Sequence, residues 1–271
     1  MMGKLFTLLA LAPLAAFPLT AQGAVTLGTA GNFAVLAGTT VTNTGTTVIN
    51  GGNVGVSPGT AITGFSSVTI TPPYTTHLAD ATAARAQNDL TTAYNAAAGL
   101  APTQTLTGTD LGGLTLTSGV YFFSSSAQLT GTLTLNDQGN SAAQFVFQIG
   151  STLTTASASS VVTVNAGATP DCNIFWQVGS SATLGTTTAF EGHILALTSI
   201  TMNTGATIAG GSALARHGAV TLDTNTITNC TNSTSPVAAV PQPATLPQVL
   251  LGTVLLGVAA MGLKARQRRL R

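Results

Sequence analysis

The chain has 271 residues, of which 6% are charged, with 30 glycines, three histidines and two cysteines. Lys4 opens it and Lys264, Arg266, Arg268, Arg269 and Arg271 close it, so only Arg85 and Arg216 face seven acids in the body, a net −5. That balance excludes nucleic acid as a partner, since phosphate must be neutralised by Lys and Arg. The Thr, Ser, Gly and Val content points to β structure with many turns.

Residues 1–23 have the form of a secretory signal: Lys4, an apolar stretch over 5–19, and small Ala21 and Gly23 ahead of cleavage near Ala24. Residues 25–71 alternate in short pieces (FAVLAG, TTVING, GVSPGTAITGF, SVTI) broken by Gly, Asn and Pro, as strands joined by turns do. The pattern then changes. Residues 76–98 lack Gly and Pro, and Ala79, Ala83, Ala86, Leu90, Ala93 and Ala97 recur at spacings of three and four, which predicts one helix with a narrow small-residue face. Strands return from Leu106.

Within 145–228 one phrase is written four times: TLTT (152–155), TLGT (183–186), TMNT (201–204) and TLDT (221–224). The last three start 18 and 20 residues apart, the period of a solenoid whose coil holds three short strands. This predicts a mostly β, triangular solenoid. Alternation places Leu153, Leu184, Met202 and Leu222 inside, and Thr152, Thr154, Thr183, Thr201, Asn203 and Thr221 outside. The first threonine of each phrase is then expected to form a ladder, with Thr155, Thr186, Thr204 and Thr224 closing the phrases. The preceding runs FVFQIG (145–150), IFWQVG (174–179) and ILALTS (194–199) are apolar throughout, which argues burial on both faces. The helix 76–98 is the expected cover.

Residues 231–247 form a polar, Pro-containing linker. Residues 248–263 are apolar and precede the basic end 264–271, as in a membrane-anchoring helix with a cytoplasmic tail. Cys172 and Cys230 can form one bridge in an oxidising compartment or remain two thiols. No Cys/His spacing suggests a metal. His77, His193 and His217 are scattered, and Glu191 and His193 read as strand neighbours sharing a face. Neither a catalytic role nor a cofactor is expected.

NFAVLAG, GVSPGTAITGF, DLTTAYNAAAG, TGTDLGGLTLTSGVYFF, FQIGSTLTTAS, FWQVGSSATLGT and ILALTSITMNTGATIAGGSALARHGAVTLDTNTIT resemble the secreted ice-binding proteins, from about residue 27 to 228. The resemblance implies a right-handed, discontinuous β-solenoid over 24–230 with one long helix along one face. It also implies ice, or ordered water, as the partner of an exported and expectedly monomeric protein. The family's flat face carries Thr-Ala/Gly-x-Thr/Asn motifs; Thr44-Gly45-Thr46-Thr47 and Thr204-Gly205-Ala206-Thr207 match it. Thr186-Thr187-Thr188-Ala189 and Thr224-Asn225-Thr226-Ile227 depart from it, and Thr155-Ala156-Ser157-Ala158 matches only at its start. The tail resembles a PEP-CTERM sorting signal, with Pro241-Gln242-Pro243 where Pro-Glu-Pro is expected. The competing reading is a cell-surface adhesin or matrix solenoid that binds polysaccharide or protein, for which exposed aromatics would be the sign.

Overall fold

The computed structural model describes residues 24–140, 142–166 and 172–230. The expected signal, linker, apolar segment and basic end lie outside the described residues. Among the described residues, no helix is long and apolar enough to cross a membrane.

The chain winds through three parallel sheets of nine, seven and eight strands, so each full coil contributes one strand to each sheet. The first sheet contains Phe33–Ala37, Phe145–Ile149, Ile174–Val178 and His193–Ala196. The second contains Thr40–Thr44, Leu153–Thr155, Ala182–Leu184, Ile200–Met202 and Val220–Asp223. The third contains Thr47–Asn50, Ser160–Val164, Ala189–Glu191, Thr207–Ala209 and Thr226–Thr228.

The stacking order is not the chain order. The first coil, beginning at Phe33, lies on the last, because Val35 pairs with Ala213, Thr42 with Thr221 and Val48 with Thr226. On its other side it carries the strands Asn53–Val56, Ala61–Thr63 and Val68–Ile70. Thr76–Leu78 then ends the first sheet at one extreme, and Gln104–Thr105 ends it at the other. The discontinuity follows from this insertion of the N-terminal coil.

Helix α1 (Ala81–Ala98) connects those extremes. Residues 76–80, expected to be helical, are not. Thr76–Leu78 pairs with Asn53–Val56, Ala79 is exposed with φ 47°, and Asp80 caps the helix by accepting from the Ala83 amide at 2.8 Å. The small-residue face is otherwise as expected: Ala83, Ala86, Leu90, Ala93 and Ala97 are fully buried. Leu90, Ala93 and Ala97 join one apolar cluster with Phe33, Val146, Phe175, Leu195 and Leu214 of the first sheet. That sheet is therefore covered on both sides, which is why its strands lack polar alternation. The Gln in FVFQIG is an exception with a purpose. Gln148 Nε2 donates to the carbonyls of Ala97 (2.7 Å) and Leu100 (2.8 Å), tying the end of the helix to the first sheet and supplementing the sparse backbone bonding there.

On the solenoid side the core is ordered by stacking. Phe147 lies on Trp176 with centroids 3.8 Å apart and planes 6° from parallel, and Tyr121 and Phe190 extend the row. Each such contact adds about 0.5–1.5 kcal/mol beyond simple burial. Cys172 and Cys230 are bridged, joining the start of the coil at Ile174 to the end of Thr226–Thr228.

Glu191 and His193 do not share a face. Glu191 ends a strand of the third sheet, Gly192 turns the chain at φ 100°, and His193 begins a strand of the first. His193 is buried, stacks on Phe175 and bonds Ser212 Oγ at 2.8 Å. Burial depresses its pKa to about 4. The unfolded chain, with an ordinary His pKa near 6.5, binds a proton between these values that the folded chain does not. Stability should fall by about 3 kcal/mol as pH drops from 7 to 4. Burial raises the Glu191 carboxyl, whose protonation on folding acts in the opposite sense as pH falls. Denaturation of wild type and His193→Gln at both pH values isolates the histidine: the variant should lose most of its share of the slope.

Candidate functional site

The second sheet carries the most regular surface of the molecule. Its registers bring Gln128, Thr154, Thr183, Thr201, Thr221, Thr42 and Thr63 into one outward column, each paired with the next. Six consecutive threonines at the interstrand spacing make a ladder about 24 Å long. Inward residues Ala182, Leu184, Ile200, Met202, Val220 and Leu222 are buried beneath it. The rungs Thr183, Thr201 and Thr221 are thus seated on packed apolar side chains, and β-branching restricts their χ1. Thr42 Oγ1 donates to Thr221 Oγ1 at 3.3 Å, so neighbouring rungs touch.

Several expected positions move. Thr183, Thr201 and Thr221 share the ladder, but Thr154, not Thr152, is their partner, because Leu153 pairs with Ala182 and not with Leu184. The phrase TLTT is offset by two residues. Thr152 stands in a flanking Ser/Thr column and donates from Oγ1 to Ser126 Oγ at 2.8 Å. The offset places Thr155 inside, where its hydroxyl meets Thr188 Oγ1 at 2.8 Å and accepts from the Gly185 amide. Thr207 belongs to the third sheet, paired with Ala189 and Thr226, and lies on a different face.

The corner after the ladder explains the remaining departures. One residue per coil there is left-handed: Ala158 (φ 57°), Thr187 (57°), Gly205 (73°), Thr224 (55°) and Gly45 (70°). Their amides donate to the preceding residue of the next coil, Ala158 to Thr186, Thr187 to Thr204, Gly205 to Asp223 and Thr224 to Thr44. Three residues separate Thr183 from Thr187 and Thr201 from Gly205, but two separate Thr221 from Thr224 and Thr42 from Gly45. Thr186 and Thr204 therefore align with Asp223 and Thr44, and Thr224 occupies the left-handed position itself. Asn203 is the additional residue of its coil. Non-glycine residues are disfavoured in this conformation by roughly 1–2 kcal/mol. Ala158→Gly, at an exposed corner, should accordingly raise stability by about 1 kcal/mol in chemical denaturation.

Behind the corner the interior is polar and satisfied. Asn225 Nδ2 donates to the carbonyls of Asn203 (3.0 Å) and Ala206 (2.9 Å), and its amide donates to Thr47 Oγ1. Thr47 in turn donates to Asn43 Oδ1 at 2.6 Å. These threonines resemble surface residues in sequence, yet they fix the bend between two sheets. Thr42 and Thr63 were absent from the expected ladder; the alternation in TVTNT (40–44) carried the signal for the first.

Beyond Gln128 at one end, the second sheet's outward column thus presents small hydroxylated side chains, with Asp223 the one charged residue in its seven strands. Tyr121, Phe147, Trp176 and Phe190 are buried in the core and give the surface no aromatic platform. The ice-binding-like family pattern matches residues 35–228. The chain belongs to the ice-binding-like family. It is 57% identical over 218 residues to an ice-binding protein of Nostoc sp. (strain HG1), covering 80% of this chain and 79% of that one. An ice-binding protein of Colwellia sp. is 36% identical, with 75% and 83% covered. Among solved structures, an ice-binding protein from an Antarctic biological consortium aligns with a TM-score of 0.72 at 48% identity, over 81% of this chain and 96% of that one. One from the ascomycete Antarctomyces psychrotrophicus gives 0.70 at 43% identity, over 76% and 98%. Relatives of this family thus share the fold that holds the ladder.

Proposed function

We propose that this protein is an exported ice-binding protein that adsorbs to ice through the second sheet and so restrains crystal growth and recrystallisation. The observation that carries the reading is the uninterrupted ladder from Thr154 to Thr63, in a chain whose relatives are named for ice binding. Each threonine offers a methyl group, around which water orders, and a hydroxyl that anchors that water. A single such contact is weak. An array with fixed spacing holds many waters at once, and the entropy of ordering them is largely lost before ice arrives.

The role is non-catalytic, and residues 155 and 207 are not part of the contacting surface in this reading. Thr152 lies at its margin. The test is partition of the purified protein into a slowly growing ice hemisphere. Enrichment in the ice relative to a non-binding control protein is expected; exclusion with other solutes would reject ice as the ligand and favour an adhesin. Export and tethering through 248–263 rest on the sequence features alone. Cell fractionation should find the protein outside the cytoplasm with residues 1–23 removed, and a full-length soluble cytoplasmic product would contradict this.

A further inference from the structure

Asp223 is an anomaly: it is the one charged residue within the strands of this sheet, while Asp110, bridged to Gln128, stands beyond the end of the threonine ladder. It occupies the corner position that Thr186, Thr204 and Thr44 fill in neighbouring coils. A carboxylate holds water strongly in its own geometry, which should spoil a lattice-matching array. Here both oxygens are engaged by the protein. Thr204 Oγ1 donates to Oδ2, and Thr224 Oγ1 donates to Oδ1 at 3.1 Å. The backbone beneath is held as well, since the Asp223 amide donates to Asn225 Oδ1 at 2.6 Å.

A threonine hydroxyl has one proton and two lone pairs. Where the proton is committed to a carboxylate, in a charge-assisted bond, only the lone pairs remain for water. Thr204 and Thr224 are both exposed and both in this state. We propose that Asp223 is a positioning residue of the ice-contacting face: it fixes the Thr204 and Thr224 hydroxyls as pure acceptors, so that ordered water at this corner must donate. This rests on the second sheet being the face that meets ice. It adds that the array imposes proton direction as well as spacing.

Asp223→Asn keeps the shape but replaces one acceptor oxygen with an NH2 donor. One of the two hydroxyls must then accept from the amide and turn its proton outward. Thermal hysteresis of wild type, Asp223→Asn, Thr204→Val and the double variant tests this, alongside melting temperatures and Thr201→Tyr. Each single variant should lose at least about half of the hysteresis, with melting shifted by no more than about 3 °C. The double variant should lose less than the sum of the two single losses, because part of the effect of Asp223 runs through the Thr204 proton and part through that of Thr224. Unchanged hysteresis in Asp223→Asn, or fully additive losses, would overturn the proposal. If wild type fails to adsorb, or Thr201→Tyr adsorbs fully, the assignment of ice or of the face has failed and this proposal falls with it. If Thr201→Tyr is inactive while Asp223→Asn equals wild type, only the role of Asp223 is wrong.

Discussion

Replacing Thr201 by Tyr should abolish adsorption to ice while leaving the fold intact. Thr201 is flanked by Thr183 on one side and Thr221 on the other, near the middle of the ladder. Its side chain points away from buried Ile200 and Met202, and Tyr suits an outward strand position, so stability should change by no more than about 0.5 kcal/mol. The ring would hold a flat crystal surface several ångström above the neighbouring methyls. Because binding depends on many simultaneous weak contacts, partition into ice should drop by an order of magnitude or more. Thr201→Val should be milder, since it keeps the branched shape and loses one hydroxyl. Thr226→Tyr is the matched control: Thr226 faces outward from the third sheet, paired with Thr207 and Val48. It should adsorb normally. A reversed pattern, with Thr226→Tyr inactive and Thr201→Tyr active, would assign contact to the third sheet.

The second large effect is expected at the Cys172–Cys230 bridge. It closes 58 residues, and the chain-entropy relation for a loop of that size gives about 4 kcal/mol. The closed segment comprises the coils that supply Thr183, Thr201 and Thr221 to the ladder. Replacing both cysteines by Ser should therefore lower stability by about 2–4 kcal/mol and the melting temperature by several degrees. Adsorption near 0 °C should survive, since the ladder itself is untouched. A double Ser variant melting with wild type would show that the coils hold this segment without help.

The coil period and the helix were legible because each is a local pattern. TLGT, TMNT and TLDT repeat at near-constant spacing, and the Ala/Leu spacing of α1 has only one geometric reading. The register of TLTT was not legible. Leu153 and its true partner Ala182 are 29 residues apart, unlike the 18 and 20 of later coils, and a two-residue offset leaves the same Thr/apolar alternation. Thr155, Thr188 and Thr47 were hidden for another reason. A buried threonine with hydrogen-bond partners looks the same in sequence as an exposed one. The pairing of Thr42 with Thr221 spans 179 residues, and no local feature encodes it. Glu191 and His193 were misplaced by one glycine: the left-handed turn at Gly192 converts two strand neighbours into residues of different sheets.

The helix that carries the chain from one end of the stack to the other also acts as a ruler. Its 18 residues measure about 27 Å, and the nine strands it must pass span about 38 Å, the difference being met by residues 79–80 and 99–103. An ordinary solenoid lengthens by duplicating a coil, but here each inserted coil would separate the two ends by about 4.8 Å and demand some three further helical residues in step. The number of rungs, and hence the area offered to a crystal, is coupled to the length of an element on a different side of the molecule. Enlarging the face by design would require both changes in the same chain.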